Sequence, residues 1–452
     1  MPARRPVEVR NGNLQSTRIS ELPLPPGPRL PSIVHTALFP YRHRVTPWMR
    51  KRYGDIIAIS VLGRPAVLLC SPELNRRVFF GEATTFHAGE GRIQGIRRVM
   101  GDQSVVTTDE AVHQRLRRLL MPPFHGAALR SYRDMMSQLA AEEVSRWPLD
   151  TPFAAQPRMN ATTLEVILRV VLGVSEGSRY EELRRTFSRL VSAPTAVYVG
   201  EVVTPLQRFG PWKRFDQLLT RIDQLLYAEI RERRSAADTA ERSDVLSRLV
   251  AMQIDEDRLS DAELRDQMVT LLLAGHETTA TTLAWTLHDL AHDPVLQDKV
   301  IAAVDTDDDR YLEAVVKESM RLHPVFYAVA RILTQDVDLG GYRIPAGYTV
   351  FAGIGPVHDD PGQHTDPRIF RPERFLDGSA TAANWLPFGA GVRRCLGVGF
   401  AMMEANIILR EVLGTNRIAP GRTRPEKARA RQVVYAPSHG ARIKVRPRSM
   451  AT

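Results

Sequence analysis

A glycine-rich loop near the C-terminus carries a cysteine in surroundings that favour metal binding. The loop reads Phe388-Gly-Ala-Gly-Val-Arg-Arg-Cys-Leu-Gly397. Its glycines allow a tight turn and close approach to a flat ligand. We expect a helix from about Cys395 to Leu413, and the free N–H groups at a helix N-terminus stabilise a thiolate. Arg393 adds positive charge nearby, so the sequence predicts a thiolate metal ligand.

The isolation of Cys395 restricts the kind of metal centre. No second cysteine or histidine stands at the spacing of a zinc or iron–sulfur site. One thiolate in an otherwise apolar, helical protein fits haem iron, where thiolate donation favours cleavage of the O–O bond. The other cysteine, Cys70, ends the apolar run Val-Leu-Leu-Cys and is interpreted as a core residue.

The loop resembles the haem loop of the cytochromes P450, with the pattern Phe-x-x-Gly-x-Arg-x-Cys-x-Gly. Five residues occupy its fixed positions: Phe388, Gly391, Arg393, Cys395 and Gly397. The resemblance covers roughly Pro25 to Lys444. It implies haem b as the cofactor, bound by these loop residues with Cys395 as the iron ligand, and dioxygen as co-substrate. It also implies a mainly α fold with a small β portion. This would be a single large domain, a triangular helical prism with the haem between a long buried helix and the helix of the cysteine loop.

A second motif lies in the segment Ser260–His292, which we predict to be one long helix. Apolar residues surround it on nearly all sides, so we expect it to be buried. Within it, Ala274-Gly-His-Glu-Thr278 places an acid and a hydroxyl where they cost energy unless they are used. The matching P450 segment lies over the haem. The resemblance implies that Ala274 and Gly275 adjoin the cofactor, and that Glu277 and Thr278 deliver protons. A kinked core helix with threonines bonded to its own backbone is the alternative.

Glu318 and Arg321 are three residues apart, on one face of a predicted helix. In the P450 family such a pair joins a downstream arginine in a buried structural triad. Arg374, within Arg371-Pro-Glu-Arg-Phe375, would be the third member. A solvated surface pair is the alternative interpretation.

The resemblance also assigns residues to the haem propionates. The expected set is His113, Arg117, Arg331 and Arg393. His113 and Arg117 are one helical turn apart on the same face. An arginine binds a planar carboxylate better than a lysine does. Ordinary surface side chains are the alternative for Arg117 and Arg331.

The elements that position these residues follow from periodicity and turn residues. A hairpin is predicted at Ile56–Val61 and Ala66–Cys70, with Gly63-Arg-Pro65 as its turn. A short helix is expected after Pro47. From Pro72 to about Val304 the pattern is mostly helical, and short strands follow Pro324. Residues 1–31 are expected to be an extended, proline-rich arm, and residues 32–452 one haem domain.

Composition places the chain among ordinary globular proteins. It has 452 residues, of which 43% are hydrophobic and 25% charged. No window of 18 residues is free of charge, which excludes a membrane-spanning helix, and the N-terminus lacks the apolar region of a signal peptide. Two cysteines fit a reducing compartment, so we expect a cytoplasmic location.

Charge and apolar surface indicate the partners. The net charge is +10, and residues 417–448 hold ten Lys/Arg against Glu426 alone. This basic run can steer an acidic partner, with a solvated face as the alternative. Zinc-finger spacing and interleaved aromatic and basic residues are absent, so nucleic acid is not an expected partner. The resemblance, without a fused flavin or ferredoxin region, implies separate electron donors: ferredoxin and ferredoxin reductase, or a flavodoxin-type protein.

The substrate walls are expected at 86–100, 187–212, 272–278 and 325–329, where apolar residues favour a small lipophilic substrate. Contact of a predicted lid at 194–211 with a membrane surface stays open. We expect a monomer. The function implied is a haem-thiolate monooxygenase that inserts one oxygen atom of dioxygen into that substrate. The alternatives are a haem-thiolate peroxygenase or isomerase, and a non-catalytic haem- or lipid-binding protein.

Overall fold

Helices make up most of the protein. The structure, a computed structural model, describes residues 19–90, 94–174, 176–193, 210–253, 257–431 and 434–448. Its α-helices are α1 Ser32–Leu38, α2 Arg42–Tyr53, α3 Pro72–Phe79, α4 Gln94–Met100, α5 Glu110–Leu120, α6 Gly126–Arg130, α7 Arg133–Ser145, α8 Ala155–Leu172, α9 Ser178–Val191, α10 Gly210–Ser235, α11 Val245–Ala251, α12 Asp261–His292, α13 Pro294–Asp305, α14 Asp309–Leu322, α15 Ile354–His358 and α16 Val398–Thr415.

The strands are short and form small sheets. They are β1 Ile56–Val61, β2 Arg64–Leu69, β3 Phe86–His87, β4 Phe153–Ala154, β5 Ala328–Leu333, β6 Val337–Leu339, β7 Tyr342–Ile344, β8 Thr349–Gly353, β9 Asn416–Pro420, β10 Ala428–Arg431, β11 Val434–Pro437 and β12 Arg442–Pro447. The largest sheet has the order β1-β2-β8-β5-β3, in which only β2 and β8 run parallel. The prediction of a mainly α fold with a small β portion is confirmed.

Helix α12 is the central element of the core. Ser260 caps it, because its hydroxyl accepts from the Glu263 N–H while the Glu263 carboxylate accepts from the Ser260 N–H. The first half of α12 packs into a cluster with α5, α7, α8, α9 and α10, and its second half packs with α13, α14 and α16. Contacts on both sides explain why its apolar residues surround the helix. The single long helix expected here is confirmed, with Ser260 as the cap rather than the first turn.

Two local expectations about the N-terminal part were wrong. The hairpin turn is Leu62-Gly63, with φ of 51° and 77°, and Arg64 and Pro65 already belong to β2. Positive φ at both central residues gives the twist that a two-residue hairpin requires. Helix α2 begins at Arg42, not after Pro47, and contains that proline. The Arg42 guanidinium stacks on Phe39 and Tyr435, which holds the first turn in place.

The chain before α1 lies along the sheet. A 3-10 turn covers Ile19–Glu21. The carbonyl oxygen of Pro26 then accepts from the Ala58 N–H at 2.8 Å, and that of Pro23 accepts from the Arg343 N–H at 2.9 Å. The rest of the expected arm, residues 1–18, lies outside the described residues. None of the described helices combines the length and the apolar character needed to cross a membrane.

Candidate active site

The glycine-rich loop is held against α3 and closed on itself. The Cys395 N–H donates to the Phe388 carbonyl oxygen at 2.9 Å. Gly391 has a φ of 66°, and a Cβ there would lie 1.9 Å from the Phe79 carbonyl oxygen. Only glycine tolerates both constraints. The expected helix start at Cys395 was wrong: a 3-10 turn occupies Gly391–Arg393 and α16 begins at Val398.

The Cys395 thiol faces open space although protein packs closely around it. Its side chain is exposed, and the packing around it raises the pKa of the thiol. The Gly397 N–H, Arg117 and Arg394 act in the opposite direction and favour the thiolate. Arg393, which we expected to supply this charge, binds the Asp109 carboxylate and the Val105 carbonyl oxygen instead.

Cys70 is the opposite case. Its side chain is fully buried beside β2, and burial raises the pKa of its thiol to about 12. The thiol therefore stays protonated at neutral pH and packs as an apolar side chain.

One stretch of α12 is open although the helix is otherwise buried. Ala274 is exposed, and Glu277 and Thr278 are partly exposed. Burial raises the pKa of Glu277, while Arg431 lowers it. The Thr278 hydroxyl donates to the Ala274 carbonyl oxygen at 2.7 Å. An acid able to hold a proton at higher pH and a hydroxyl thus lie next to each other, at the exposed part of the helix.

The other side of the same turn is packed against α8. His276 is buried, and burial lowers its pKa to about 4. Its carbonyl oxygen accepts from the Thr163 hydroxyl at 3.1 Å. A Cβ on Gly275 would lie 2.8 Å from Cδ1 of Ile167. The structure therefore gives glycine at 275 a packing reason, close contact between α12 and α8.

The four residues expected at the propionates form one cationic cluster. His113, Arg331 and Arg393 line a single cavity. Burial, together with the charges of Arg393, Arg117 and Arg331, lowers the pKa of His113 to about 4. Arg117 donates to the Arg394 carbonyl oxygen at 2.7 Å, which ties α5 to the loop of Cys395. Three arginines near a neutral histidine form a strong field for an anionic ligand.

Glu318, Arg321 and Arg374 form a buried ion network. Arg321 donates to both Glu318 carboxylate oxygens at 2.7 and 2.9 Å, and Arg374 donates to one of them at 3.2 Å. All three side chains are at most 1% exposed. The remaining guanidinium donors reach backbone carbonyl oxygens, among them those of His358 and Asp366. The surface-pair alternative is excluded by this burial.

Two acidic residues were missed from the sequence, Asp109 beside Arg393 and Glu404 in the core of α16. Asp109 accepts from the N–H groups of Ala88, Gly89 and Glu90 and from Arg393; the backbone bonds and Arg393 hold its pKa below the ordinary value. Its signal was its place just before α5. Glu404 in α16 is fully buried, and burial raises its pKa well above the usual range. Its signal was a carboxylate inside the apolar run 400–409.

The donor set fits a haem group. It offers one exposed thiol that neighbouring cations favour as thiolate, and a cluster of cations suited to two carboxylates. A Cβ on Gly397 would meet nothing within 4 Å, so the loop leaves room beside the cysteine. In the described part of the chain, no three His, Cys, Asp or Glu side chains are grouped to hold a metal ion.

Comparison with known proteins decides the family. The sequence profile described as Cytochrome P450 matches residues 24–445, which is nearly the whole chain. The chain belongs to the cytochrome P450 family. It is therefore a member of an oxidoreductase family of haem monooxygenases.

Two similar P450 proteins come from mycobacteria. A putative cytochrome P450 135A1 of Mycobacterium tuberculosis is 44% identical over 430 residues, covering 94% of this chain and 95% of that protein. A putative cytochrome P450 135B1 of Mycobacterium bovis is 39% identical over 437 residues, covering 94% and 92%.

Solved P450 structures share the fold. A cyanobacterial P450 solved with retinoic acid bound has a TM-score of 0.83 at 23% identity, covering 94% of this chain and all of that one. The haem domain of cytochrome P450DA has a TM-score of 0.82 at 23% identity, covering 94% and 98%. At this identity the likeness establishes the architecture alone.

Proposed function

We propose that the protein is a haem-thiolate monooxygenase that inserts one oxygen atom of dioxygen into a lipophilic small molecule. The main support is the pairing of an exposed, cation-flanked thiol at Cys395 with an acid and a hydroxyl, Glu277 and Thr278, at the open stretch of α12. A peroxygenase or isomerase has no need of a proton-delivering pair, so this observation favours the monooxygenase.

In this proposal the chain binds and orients the cofactor from two directions. Cys395 ligates the iron, and Phe388, Gly391 and Gly397 shape the loop around it. His113, Arg117, Arg331 and Arg393 bind the propionates. When bound, the haem supplies the redox chemistry of oxygen activation. Glu318, Arg321 and Arg374 stabilise the fold without contacting the reacting groups.

Protons reach the reaction through Glu277 and Thr278. The raised pKa of Glu277 keeps the carboxyl protonated over a wider pH range, which suits a group that must give up a proton near neutral pH. The Thr278 hydroxyl both accepts and donates, so it can pass that proton on. Ala274, which is exposed and has no bulky side chain, leaves space beside the pair, whereas Gly275 serves the contact of α12 with α8.

The substrate and the electron donors follow from the same interpretation. In the described parts of the expected walls, the apolar side chains of Ile96, Phe326 and Val329 are partly exposed, which favours a lipophilic substrate. Residues 91–93 and 194–209 of these walls lie outside the described residues. We propose that a ferredoxin with its reductase, or a flavodoxin-type protein, supplies the electrons. Both cysteines are free thiols, which supports a reducing, cytoplasmic location.

The test combines a spectrum with turnover. The reduced carbonyl complex of the purified haem-loaded protein should show the red-shifted Soret band of haem-thiolate proteins. Cys395→Ser should abolish this band, whereas the matched variant Cys70→Ala should keep it. A lipophilic compound library with surrogate ferredoxin and reductase should then yield hydroxylated product. Product made only with peroxide would favour the peroxygenase, and no product with any compound or donor would favour a binding protein.

A further inference from the structure

Helix α1 packs with its polar side inward. The Ser32 hydroxyl accepts from the Gly63 N–H at 3.0 Å, and the Thr36 hydroxyl accepts from the Leu62 N–H at 2.9 Å. Between them, His35 Nδ1 accepts from the Ser60 N–H at 2.8 Å. These three side chains share one helix face, and all of them bind the β1–β2 hairpin. An amphipathic helix normally buries its apolar side, so α1 is inverted.

The outward side of α1 is apolar. Ile33 is 79% exposed, one of the most exposed large apolar side chains in the described part of the chain. We define the N-terminal face as the exposed residues Leu30, Ile33, Val34, Leu38, Tyr41 and Leu62. The first five follow the helical repeat of three and four residues, and Leu62 adjoins them through its bond to Thr36. Contiguous exposed apolar residues of this kind mark a binding surface.

Positive charge surrounds the N-terminal face. Residues 19–65 contain seven Lys/Arg and two acids, Glu21 and Asp55. Asp55 is already paired with Arg50 at 2.6 Å. Exposed cations for which the described chain provides no acidic partner are Arg29, Arg44, Lys51, Arg52 and Arg64. Arg29 adjoins Leu30 in the chain, Arg64 is two positions from Leu62, and the Arg44 guanidinium lies 5.9 Å from the Tyr41 ring. An apolar face flanked by such cations complements a surface that is anionic outside and apolar beneath.

A groove beside the N-terminal face collects part of this charge. Its volume is about 740 Å³, and its lining includes Arg29, His35, Arg52 and Tyr53. The Arg52 guanidinium lies 5.6 Å from the Tyr53 ring. The groove therefore has two arginines in its lining and reaches α1 through His35, whose neighbours Ile33 and Val34 are exposed. Arginine binds phosphate well, so this arrangement suits a phospholipid, which presents a phosphate next to acyl chains.

We propose that the N-terminal face docks the protein on a bilayer that contains anionic phospholipid. Helix α1 lies in the interface with Ile33 and Leu38 in the acyl boundary, while Arg29 and Arg52 bind lipid phosphate. A second copy of the chain fits poorly, because its cations would meet the same cations. The segment 1–18 also fits poorly, because it carries four arginines and one glutamate. The proposal does not depend on the chemistry of the haem site.

Flotation of the haem-loaded full chain with vesicles tests this docking. Vesicles of equal amounts of phosphatidylcholine and phosphatidylglycerol should bind the protein, and vesicles of phosphatidylcholine alone should bind it much less. Ile33→Ser with Leu38→Ser should weaken binding by about tenfold, since two interfacial side chains are lost. Arg52→Glu should weaken it by about fivefold or more, and high salt should act in the same direction.

Matched controls separate this face from general attraction to a basic protein. Val295→Ser removes an exposed apolar side chain of α13, and Arg231→Glu removes an exposed cation of α10 with the same change in net charge. Both should bind as the unaltered chain does. Equal loss in control and face variants would overturn the proposal, as would equal binding to both vesicle types. A dimer in sedimentation that Ile33→Ser dissociates, without vesicle binding, would assign the face to a second copy.

Discussion

The Thr278 hydroxyl donates to the Ala274 carbonyl oxygen at 2.7 Å, one turn earlier in α12. The same bond is possible in any helix that contains threonine, and it bends the helix without serving chemistry. What distinguishes this one is its place, since Ala274 is exposed where the flanking turns are buried. Proton delivery by the Thr278 hydroxyl can therefore be tested separately from the structural role of the hydroxyl in the helix.

Thr278→Ala should lower the product formed per electron by roughly tenfold, with the difference appearing as peroxide. The loss stays below the full contribution of a positioned proton donor, because water can replace the hydroxyl in part. Haem content and substrate affinity should change little. Thr278→Ser, which keeps the hydroxyl, is the control. Unchanged coupling in the alanine variant would mean that Thr278 serves only the helix.

The pH dependence should identify Glu277. Burial raises its pKa, so the carboxyl is protonated at low pH and loses its proton as pH rises through the raised value. Product formation should therefore decline on the alkaline side. Glu277→Gln should be slow at all pH values and should lack this decline, because an amide does not exchange the proton. The measurement is the rate of product formation against pH at constant donor concentration. A decline that persists in the glutamine variant would assign it to another group.

Removing the shared carboxylate of the buried network should destabilise the fold. Glu318→Gln leaves Arg321 and Arg374 buried without a counter-charge, which costs about 3–5 kcal/mol. The matched control is Glu313→Gln on the same helix, whose partner Lys317 lies 2.6 Å away at the surface. That change should cost less than about 1 kcal/mol. Urea unfolding measures both, and equal values would contradict the structural role.

Electron transfer should depend on salt through Arg394, not through the whole basic run. Within that run, Arg417, Arg446 and Arg448 already pair with Asp298, Asp150 and Asp305. Arg394 is exposed next to Cys395. Its charge is screened beyond about 10 Å at 0.1 M salt. Arg394→Glu should slow reduction by an acidic ferredoxin severalfold at low salt, and Arg417→Glu should slow it less. Rates insensitive to both salt and Arg394 would exclude electrostatic docking here.

Local sequence patterns predicted the structure correctly where a single segment contains all the residues that determine it. Helix α12 could be predicted because its capping residue and its all-round apolar character lie within a single run. The cysteine loop could be found because its glycines and Cys395 are close together in sequence. The start of α16 could not, since the contact of Gly391 with Phe79 joins positions more than three hundred residues apart.

Local sequence patterns also could not predict which side chains pair when the two residues are far apart in the chain. Arg393 was assigned to the charge around Cys395, but its guanidinium binds the carboxylate of Asp109, 284 positions earlier. The sequence around Arg393 and the sequence around Asp109 contain no pattern that indicates this pairing. Strand β3 was not predicted for a similar reason, because its partner β5 lies more than 200 positions later in the sequence. In the sequence, Glu404 only interrupts an apolar helical run; its complete burial is evident from the packed structure alone.

The Asp109 carboxylate links three segments of the chain. It accepts hydrogen bonds of 2.8 to 3.0 Å from the backbone at 88–90 and forms an ion pair with Arg393 in the cysteine loop. Asp109 itself directly precedes α5. Hydrogen bonds tolerate displacements of only a few tenths of an ångström. A ligand that displaces residues 88–90 must therefore move Arg393 with them or break the hydrogen bonds of Asp109. A movement of residues 88–90, in the expected substrate wall, would therefore reach the loop of Cys395 through one short acidic side chain.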